Sequence, residues 1–254
     1  MGLPKAPNFR VDGQRALVTG ASRGIGLAAS VALAQAGAAV TLVARNELEL
    51  KEASEQIRAL GCECDYLVLD VTDSKAVNDK LADRGPYQIL VNNAGMNRPK
   101  LLVDVEDKDI DDILSLNVKA AFYVSRFVVK QLLAAGLPGS VINISSQMGL
   151  VGSPRRTLYC ASKHALEGLT KSLAWELGPA NIRVNTICPT FIETAFSAPM
   201  FEDAVFRDWV VSKIALGRIG QTEEIMGAVV FLASSASSLI TGSALMLDGG
   251  WTAA

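Results

Sequence analysis

Histidine is nearly absent from this chain, and most routes to metal-dependent or imidazole-dependent catalysis are absent with it. His164 is the single histidine in 254 residues, so a multi-histidine metal site is excluded and a serine–histidine triad would have to use His164. The four cysteines are Cys62, Cys64, Cys160 and Cys188. Cys62 and Cys64 have neither metal-site spacing nor a second ligand pair, so we expect free thiols and no metal.

Charge is scarce as well. Charged residues make up 20% of the chain, the net charge is −2 at pH 7, and the pI is about 5.6. The sequence contains no stripe of basic residues. It therefore lacks the electrostatic signature of proteins that bind nucleic acid or an anionic membrane, and we expect neither partner.

Uninterrupted hydrophobic runs of membrane-spanning length are also missing. The stretches 24–44 and 225–247 carry no charge and are long enough to span a bilayer. Gly37 divides the first, and several serines with Gly242 divide the second. Each is therefore predicted to be a helix followed by a buried strand. Residues 1–8 contain no apolar core of signal-peptide length, so we expect a cytoplasmic location.

Strand-like and helix-like segments alternate along the whole chain. The predicted strands are 15–19, 39–43, 64–69, 87–91, 139–145, 181–187 and 244–247, with long helices near 106–134 and 156–177. Half of the residues are hydrophobic, which suits a sheet that is buried on both faces. The pattern predicts an α/β fold: one domain over residues 1–254, with a doubly wound, seven-stranded parallel Rossmann sheet flanked by helices.

A glycine-rich turn connects the first predicted strand to the first helix. Gly20, Gly24 and Gly26 follow the apolar run 16–18 and precede the helix-like segment 27–36. In such a turn, backbone N–H groups and the positive end of the helix can meet a pyrophosphate without interference from side chains. The spacing is G-x-x-x-G-x-G rather than the general G-x-G-x-x-G, and an ordinary glycine turn is the alternative.

Tyr159 and Lys163 are four residues apart, so on a helix they share one face. A free tyrosine titrates near pH ~10, and a fixed cation beside it favours the phenolate and moves its pKa toward the working range. The same spacing also arises by chance on amphipathic helices. Its meaning therefore depends on the motifs elsewhere in the chain.

The glycine turn and the Tyr-x-x-x-Lys pair together resemble the short-chain dehydrogenase/reductase family. Asn92-Asn93-Ala94-Gly95 follows the predicted strand 87–91, as the family's Asn-Asn-Ala-Gly motif does. The similarity extends from about residue 9 to residue 251. It implies a nicotinamide-dependent oxidoreductase that acts on CH–OH groups.

The resemblance also implies a catalytic set of Asn117, Ser146, Tyr159 and Lys163. Ser146 stands thirteen residues before Tyr159, the family's usual interval, which Ser145 misses by one. Ser146 and Tyr159 would donate hydrogen bonds to the substrate oxygen, with Tyr159 moving the proton. Lys163 would hold the nicotinamide ribose and lower the pKa of Tyr159, and Asn117 would organise the proton relay.

By the same resemblance, the coenzyme contacts the glycine turn, the ends of the next three strands, the Tyr–Lys pair and the segment after the sixth strand. These residues are Gly20, Ser22, Arg23, Gly24, Ile25, Gly26, Arg45, Asn46, Asp70, Val71, Asn93, Ala94, Gly95, Tyr159, Lys163, Pro189, Ile192 and Thr194. One departure is Pro189-Thr190, where the family commonly has Pro-Gly. Threonine tolerates positive φ poorly, so the backbone conformation there is left open.

The choice of coenzyme can be argued from charge. The second predicted strand ends at Arg45-Asn46 without the acidic residue that an NAD enzyme usually offers to the adenosine ribose. Arg45 and Arg23 are suited to flank a 2′-phosphate, and the alternative is that both are merely solvated. NADP(H) is therefore the preferred coenzyme, with NAD(H) possible. Asn46 and Glu49 resemble a helix N-cap with its reciprocal glutamate.

The segment 190–212 breaks the alternation of strands and helices. Its large apolar side chains, without a clean period, are Phe191, Phe196, Met200, Phe201, Phe206 and Trp209. Such a stretch is either core or subunit interface, or a mobile lid that excludes water from the substrate and the nicotinamide. We expect a substrate lid at 190–212.

The candidate substrate residues are polar: Asn97, Gln147, Arg155 and Arg156. They suit a small hydroxylated or anionic molecule, and the C-terminal segment 248–252 resembles sugar- and polyol-type members of the family. The resulting hypothesis is a reductase of a sugar, sugar acid or polyol. The alternatives are a 3-oxoacyl-(acyl carrier protein) reductase, disfavoured because only Arg126 and Lys130 offer basic docking charge, and a non-catalytic NADP(H)-binding regulator.

The long helical segments 106–134 and 156–177 hold more apolar residues than one sheet face covers. Trp251, near the end of the chain, is a large apolar side chain that a monomer would tend to expose. In the family the corresponding helices pack against a two-fold-related copy. A homotetramer, or a homodimer, is therefore expected.

Overall fold

The computed structural model describes residues 2–195 and 197–253. Phe196, one of the aromatic residues in the expected lid, lies outside the described residues. Seven parallel strands form one sheet in the order β3-β2-β1-β4-β5-β6-β7, which confirms the predicted fold class. The strands are β1 Arg15–Thr19, β2 Ala39–Ala44, β3 Cys64–Val68, β4 Ile89–Asn92, β5 Gly139–Ile144, β6 Ile182–Pro189 and β7 Ala244–Leu247. All seven lie where the sequence predicts them, with ends that move by at most two residues.

Helices cover both faces of the sheet. They are α1 Gly24–Gln35, α2 Glu47–Ala59, α3 Ser74–Leu81, α4 Asp107–Leu114, α5 Ala120–Ala135, α6 Thr157–Leu177, α7 Ala204–Ser212 and α8 Glu223–Ala233. The predicted helix near 106–134 is two helices joined by a π-helical turn, Ser115–Lys119. Such turns occur frequently at functional sites, and this one contains Asn117.

The doubly wound sheet has a hydrophobic core on each of its two faces. Val18, Leu42 and Val91 are completely buried on one face, and Leu17 and Leu90 on the other. This two-sided burial explains why the strands are continuous apolar runs rather than alternating ones. The chain winds outward from β1 toward β3 and then returns to β4 on the other side of β1. Ligands bind outside the carboxyl ends of the strands at such a reversal.

The two uncharged stretches are helix–strand units, as predicted: 24–44 holds α1 and β2, and 225–247 holds most of α8 and β7. In the described part of the chain, no helix is both long enough and apolar enough to cross a membrane. The four cysteines are free thiols, and three of them are buried.

Candidate active site

A cleft of about 540 Å³ opens at the carboxyl edge of the sheet, on both sides of the reversal between β1 and β4. It brings together most of the residues that the sequence singled out. Lining it are Gly20, Ser22, Arg23, Gly24, Ile25, Arg45, Asn46, Asp70, Val71, Asn93, Ala94, Gly95, Asn97, Ser146, Gln147, Arg156, Tyr159, Lys163, Pro189, Ile192 and Thr194. The predicted residues Gly26, Asn117 and Arg155 do not line it.

The glycine turn is held tightly against the following helix and the end of β4. Gly20 and Gly24 adopt positive φ angles of 63° and 55°, which favour glycine. At Gly26 an added Cβ would stand 2.2 Å from the carbonyl oxygen of Gly20 and 2.4 Å from Nδ2 of Asn93. Gly26 therefore lies behind the cleft wall, where it permits the close approach of helix and turn.

Asn93 fixes the position of this turn. Its Nδ2 donates to the carbonyl oxygens of Thr19 and Gly20 at 3.0 and 2.9 Å, and its backbone N–H donates to Oγ1 of Thr19 at 3.0 Å. The Asn-Asn-Ala-Gly motif thus ties the end of β4 to the glycine turn. This arrangement leaves the N-terminus of α1 facing the cleft, which suits a pyrophosphate.

Two arginines and an unexpected carboxylate stand at the outer end of the cleft. Arg23 lies 3.9 Å from Glu49 and Arg45 lies 3.9 Å from Asp70, and both arginine side chains are largely exposed. Ser22 Oγ donates to Glu49 at 2.7 Å. The sequence missed Glu49 as a cleft residue because its spacing from Asn46 suggested a capping box.

That capping prediction is half right. Asn46 accepts hydrogen bonds from the backbone N–H groups of Leu48 and Glu49 and caps α2. The Glu49 carboxylate is not reciprocal, because Ser22 and Arg23 draw it to the cleft. The outer end of the cleft therefore carries two arginines and two carboxylates rather than arginines alone.

Tyr159 lies at the inner end of the cleft, on the first turn of α6. Burial raises its pKa, although the neighbouring Ser146 hydroxyl and the charge of Arg156 act in the opposite direction. The net change is upward, and the expected lowering of this pKa by Lys163 stays a prediction. Lys163 Nζ lies 5.6 Å from the centre of the Tyr159 ring and donates to the carbonyl oxygen of Ile144 at 2.8 Å.

Lys163 itself is strongly affected by its surroundings. Burial lowers the pKa of its ammonium from 10.5 to about 8, opposed by the charges of Cys188 and Glu167. Gly95 stands opposite, where a Cβ would lie 3.3 Å from Oδ1 of Asn117 and 3.7 Å from Nζ of Lys163. The glycine of the Asn-Asn-Ala-Gly motif thus leaves space between these two polar groups.

Ser146 follows β5 and begins a short 3₁₀ turn. Its Oγ accepts from the backbone N–H of Met148 at 3.1 Å, and its contact with the Pro189 carbonyl is long at 3.5 Å. The hydroxyl hydrogen is therefore weakly held and available to a ligand oxygen. Ser145 also lines the cleft, and its Oγ has no hydrogen-bond partner within the described residues.

Asn117 is buried behind the cleft in the π-helical turn. Its Nδ2 donates to the Met96 carbonyl oxygen at 2.9 Å and to Ser162 Oγ at 3.0 Å, while its Oδ1 accepts from Met96 N–H at 2.8 Å. Every polar atom of this side chain is thus engaged. Its contacts connect the loop after β4 to α6, which carries Tyr159 and Lys163.

The two neighbouring arginines differ sharply. Arg155 is exposed and does not line the cleft, so the structure separates it from the other candidate substrate residues. Arg156 is 8% exposed, lines the cleft, and places its guanidinium 5.4 Å from the centre of the Phe191 ring. The sequence could not distinguish them, because the difference depends on a positive φ of 61° at Arg155.

Thr190 occupies the family's usual glycine position without a positive φ. Among the described residues, Arg155 and Asn181 are the only non-glycine residues with positive φ. Thr190 continues from β6, donating its N–H to the Leu247 carbonyl oxygen at 3.1 Å. Its Oγ1 is buried without a hydrogen-bond partner in the described part of the chain, and the residue lines the cleft.

The described aromatic residues of the 190–212 segment, Phe191, Phe201, Phe206 and Trp209, form one cluster with Trp251. Phe191 lies 5.8 Å from Phe206 and 5.9 Å from Trp251, and Trp209 lies 5.7 Å from Trp251. Trp251 is half-buried by these contacts. The expectation that a monomer exposes Trp251 is therefore wrong, because the fold brings the C-terminal segment against α7 and Phe191.

Comparison with known proteins agrees with this site. A family model described as enoyl-(acyl carrier protein) reductase matches residues 20–252. Gluconate 5-dehydrogenase of Gluconobacter oxydans (strain 621H) is 41% identical over 248 residues, which cover 96% of each chain. The chain belongs to the short-chain dehydrogenase/reductase family. Like other members of this family, it is an oxidoreductase that acts on CH–OH groups.

Two further members of the short-chain dehydrogenase/reductase family are similar to this chain over nearly its whole length. The 3-oxoacyl-[acyl-carrier-protein] reductase FabG of Thermotoga maritima is 39% identical over 95% of this chain and 99% of its own. The crystal structure of a gluconate 5-dehydrogenase from Burkholderia cenocepacia J2315, in complex with NADP and tartrate, superposes with a TM-score of 0.92 at 36% identity, covering 98% of each chain.

Proposed function

We propose that this protein is an NADP(H)-dependent oxidoreductase that interconverts a carbonyl and a secondary alcohol on a small polar substrate of the sugar, sugar acid or polyol type. One observation carries the proposal. A single cleft joins the glycine turn at one end to Ser146, Tyr159 and Lys163 at the other, with the polar side chains Gln147 and Arg156 in its wall.

The chain's own residues have distinct tasks in this proposal. A bound nicotinamide supplies or accepts the hydride. Ser146 and Tyr159 donate hydrogen bonds to the substrate oxygen, where negative charge develops during reduction. Tyr159 gives up its proton to that oxygen, Lys163 binds the nicotinamide ribose, and Asn117 positions the α6 residues.

The raised pKa of Tyr159 bears on the direction of the reaction. Burial keeps this phenol protonated at neutral pH, so the group is ready to act as an acid. Tyr159 is therefore suited to act as the acid of carbonyl reduction near neutral pH, whereas the phenolate that alcohol oxidation needs as a base forms only at alkaline pH.

NADP(H) is the proposed coenzyme. The cleft fits a dinucleotide because Gly20 and Gly24 place no side chain over the helix N-terminus and Gly26 lets the turn pack closely against the helix. Arg23 and Arg45 stand at its outer end, where a 2′-phosphate would be neutralised. The NADP bound to the Burkholderia relative supports the choice. Glu49 and Asp70 reduce the positive charge at this end of the cleft, because each carboxylate lies near one of the arginines.

The substrate class is supported by the polar wall of the cleft and by the gluconate dehydrogenases among the relatives. A second candidate, 3-oxoacyl reduction, is supported by the Thermotoga relative. Arg126 and Lys130 on α5 are exposed, but Arg126 already donates to Ser74 and lies over Tyr123. This face therefore offers only two basic side chains to an acidic carrier protein, and one of them is already held by neighbouring residues.

Steady-state oxidation of NADPH decides between these functions. We expect turnover with ketoses or keto sugar acids and at least about tenfold lower kcat/KM with an acetoacetyl thioester. Preference for the thioester would favour the second candidate. Coenzyme binding without turnover across the panel would refute the proposed reaction.

The segment 190–212 is proposed to be a lid over the substrate. It contains a 3₁₀ helix, Ala198–Glu202, and α7, and it contributes Thr194, Ser197 and Met200 to the cleft wall. Closure would exclude water from the reacting carbonyl. Limited proteolysis tests the idea: cleavage within 190–212 should slow when NADPH and a substrate analogue are both present.

A homotetramer or homodimer in the cytoplasm is also proposed. Trp175 on α6 is 88% exposed and Phe122 on α5 is 49% exposed, which suits burial against a second copy. Free thiols suit a reducing compartment. Light scattering at micromolar concentration tests the assembly, because a stable and fully active single chain would contradict it.

A further inference from the structure

Arg156 is a buried charge inside the proposed active site. It is the residue before α6, three positions ahead of Tyr159, and its side chain reaches the cleft wall. Only 8% of the residue is exposed, and the guanidinium lies 5.4 Å from the centre of the Phe191 ring. An aromatic face shields one side of a guanidinium and leaves its N–H edge free for a planar acceptor.

Nothing in the described part of the chain neutralises this charge. Six other arginines, at positions 10, 23, 45, 84, 98 and 218, have a carboxylate within ion-pair distance. For Arg156 the described residues provide no such carboxylate and no side-chain hydrogen-bond acceptor. Burial lowers the pKa of its guanidinium, and no carboxylate contributes to raising it. A buried arginine without a counterion is costly unless a ligand supplies one.

The backbone holds Arg156 in this position at a cost. Arg155 has a φ of 61°, a conformation that is uncommon outside glycine, asparagine and aspartate. The carbonyl of Arg155 accepts from the N–H of Lys100 at 3.0 Å, and the carbonyl of Arg156 accepts from the N–H of Cys160 at 2.8 Å. Strained backbone that is pinned from both sides is typical of binding sites.

A second polar group in the same wall also lacks a partner. Oγ1 of Thr190 is buried without a hydrogen bond among the described residues, and Thr190 directly precedes Phe191, on which Arg156 stacks. Asn97 is similar, because it lines the cleft and its Oδ1 is buried without a hydrogen bond among the described residues. A guanidinium, a hydroxyl and an amide around one cleft suit an anionic, hydroxylated ligand.

We propose that the substrate carries a carboxylate, which pairs with the guanidinium of Arg156 and receives a hydrogen bond from Thr190 Oγ1. Arg156 and Tyr159 line the same cleft, so a molecule held at Arg156 can present its other atoms to Tyr159. This proposal rests on the proposed function and narrows it to sugar acids and their keto acids, with neutral ketoses and polyols as poor substrates.

The test compares each acid with its neutral counterpart in wild type and in three variants. Aldonates and their keto acids are paired with polyols and ketoses of equal chain length, and kcat/KM is measured in both directions. Arg156→Gln removes the charge, and Arg156→Lys keeps it but loses the planar fork. Arg155→Gln is the matched control, because it removes the same charge one residue away from an exposed side chain outside the cleft.

We expect wild type and Arg155→Gln to prefer the acids by about ten- to a hundredfold, the value of a charge-assisted contact. Arg156→Gln should lose that preference, mainly through a higher KM for the acids. Arg156→Lys should be intermediate. Equal kcat/KM for acids and neutral compounds in wild type overturns the carboxylate proposal while leaving the oxidoreductase proposal intact.

A direct binding measurement tests the carboxylate site even if the enzyme turns over no compound of the panel. Calorimetry with tartrate on the NADPH-saturated protein should then show binding that Arg156→Gln weakens at least about tenfold and Arg155→Gln does not. Equal tartrate affinity in the two variants, or none in wild type, overturns the proposal. Failure of turnover alone counts against the proposed reaction, so the two failures are distinguishable.

Discussion

Replacing Gly26 by alanine should damage coenzyme binding from behind the cleft. The new Cβ would stand 2.2 Å from the Gly20 carbonyl oxygen and 2.4 Å from Nδ2 of Asn93, so helix and turn would have to separate by roughly 1 Å in a closely packed interior. Alanine gains about 1 kcal/mol of helix propensity over glycine, whereas overpacking typically costs about 1–3 kcal/mol. The net change in the free energy of unfolding is a loss of up to about 2 kcal/mol.

Gly227→Ala is the matched control for this substitution. Gly227 also lies within a helix, α8, and an added Cβ there would meet nothing within 4 Å. This variant should gain about 1 kcal/mol of stability from propensity alone. The two variants should therefore differ by about 1–3 kcal/mol in the free energy of unfolding, measured by urea denaturation.

Coenzyme affinity provides the functional measurement. Displacing the turn removes at least one backbone N–H contact to the pyrophosphate, and a hydrogen bond to a charged group is worth about 1.5–3 kcal/mol. NADPH should bind Gly26→Ala at least about tenfold more weakly and bind Gly227→Ala as it binds wild type. If Gly26→Ala retains both wild-type stability and NADPH affinity, the close contact does not position the turn and the reasoning is refuted.

Three further perturbations test the inner and outer ends of the cleft. Tyr159→Phe should lower kcat by about 10²–10⁴-fold because the proton donor is lost. A binding titration should show that its NADPH affinity changes only a few-fold. A variant that keeps more than about a tenth of the wild-type rate would exclude Tyr159 as the acid. Arg45→Asp should weaken NADPH binding by about ten- to a hundredfold relative to NADH, and an unchanged ratio would show that Arg45 does not recognise the 2′-phosphate. Burial lowers the pKa of Lys163 to about 8, so its ammonium is present below that pH and lost above it. We therefore expect kcat/KM for reduction to fall above about pH 8. A pH profile that stays flat to about pH 10, where free tyrosine and lysine titrate, would contradict this.

The fold could be predicted from the sequence, and the catalytic candidates are predictions that rest on its motifs. Apolar runs buried on both faces of a parallel sheet give a local signal that needs no tertiary contact, so every predicted strand, from β1 to β7, lies within two residues of its place. The glycine turn and the Tyr159–Lys163 pair were equally readable, because each depends on spacing within a single turn or helix.

The electrostatics of the cleft depend on contacts that form only in the folded chain. Arg155 and Arg156 are indistinguishable in sequence, yet one is exposed and the other is buried against Phe191, because a single positive φ and two backbone hydrogen bonds set their directions. Glu49 reads as a helix cap and instead reaches Ser22 and Arg23. Trp251 reads as an interface residue and instead joins an aromatic cluster formed by a segment forty to sixty residues earlier in the chain. In each case the side chain is buried or bound by residues that are distant in the sequence. Residue spacing along the chain therefore does not predict these contacts.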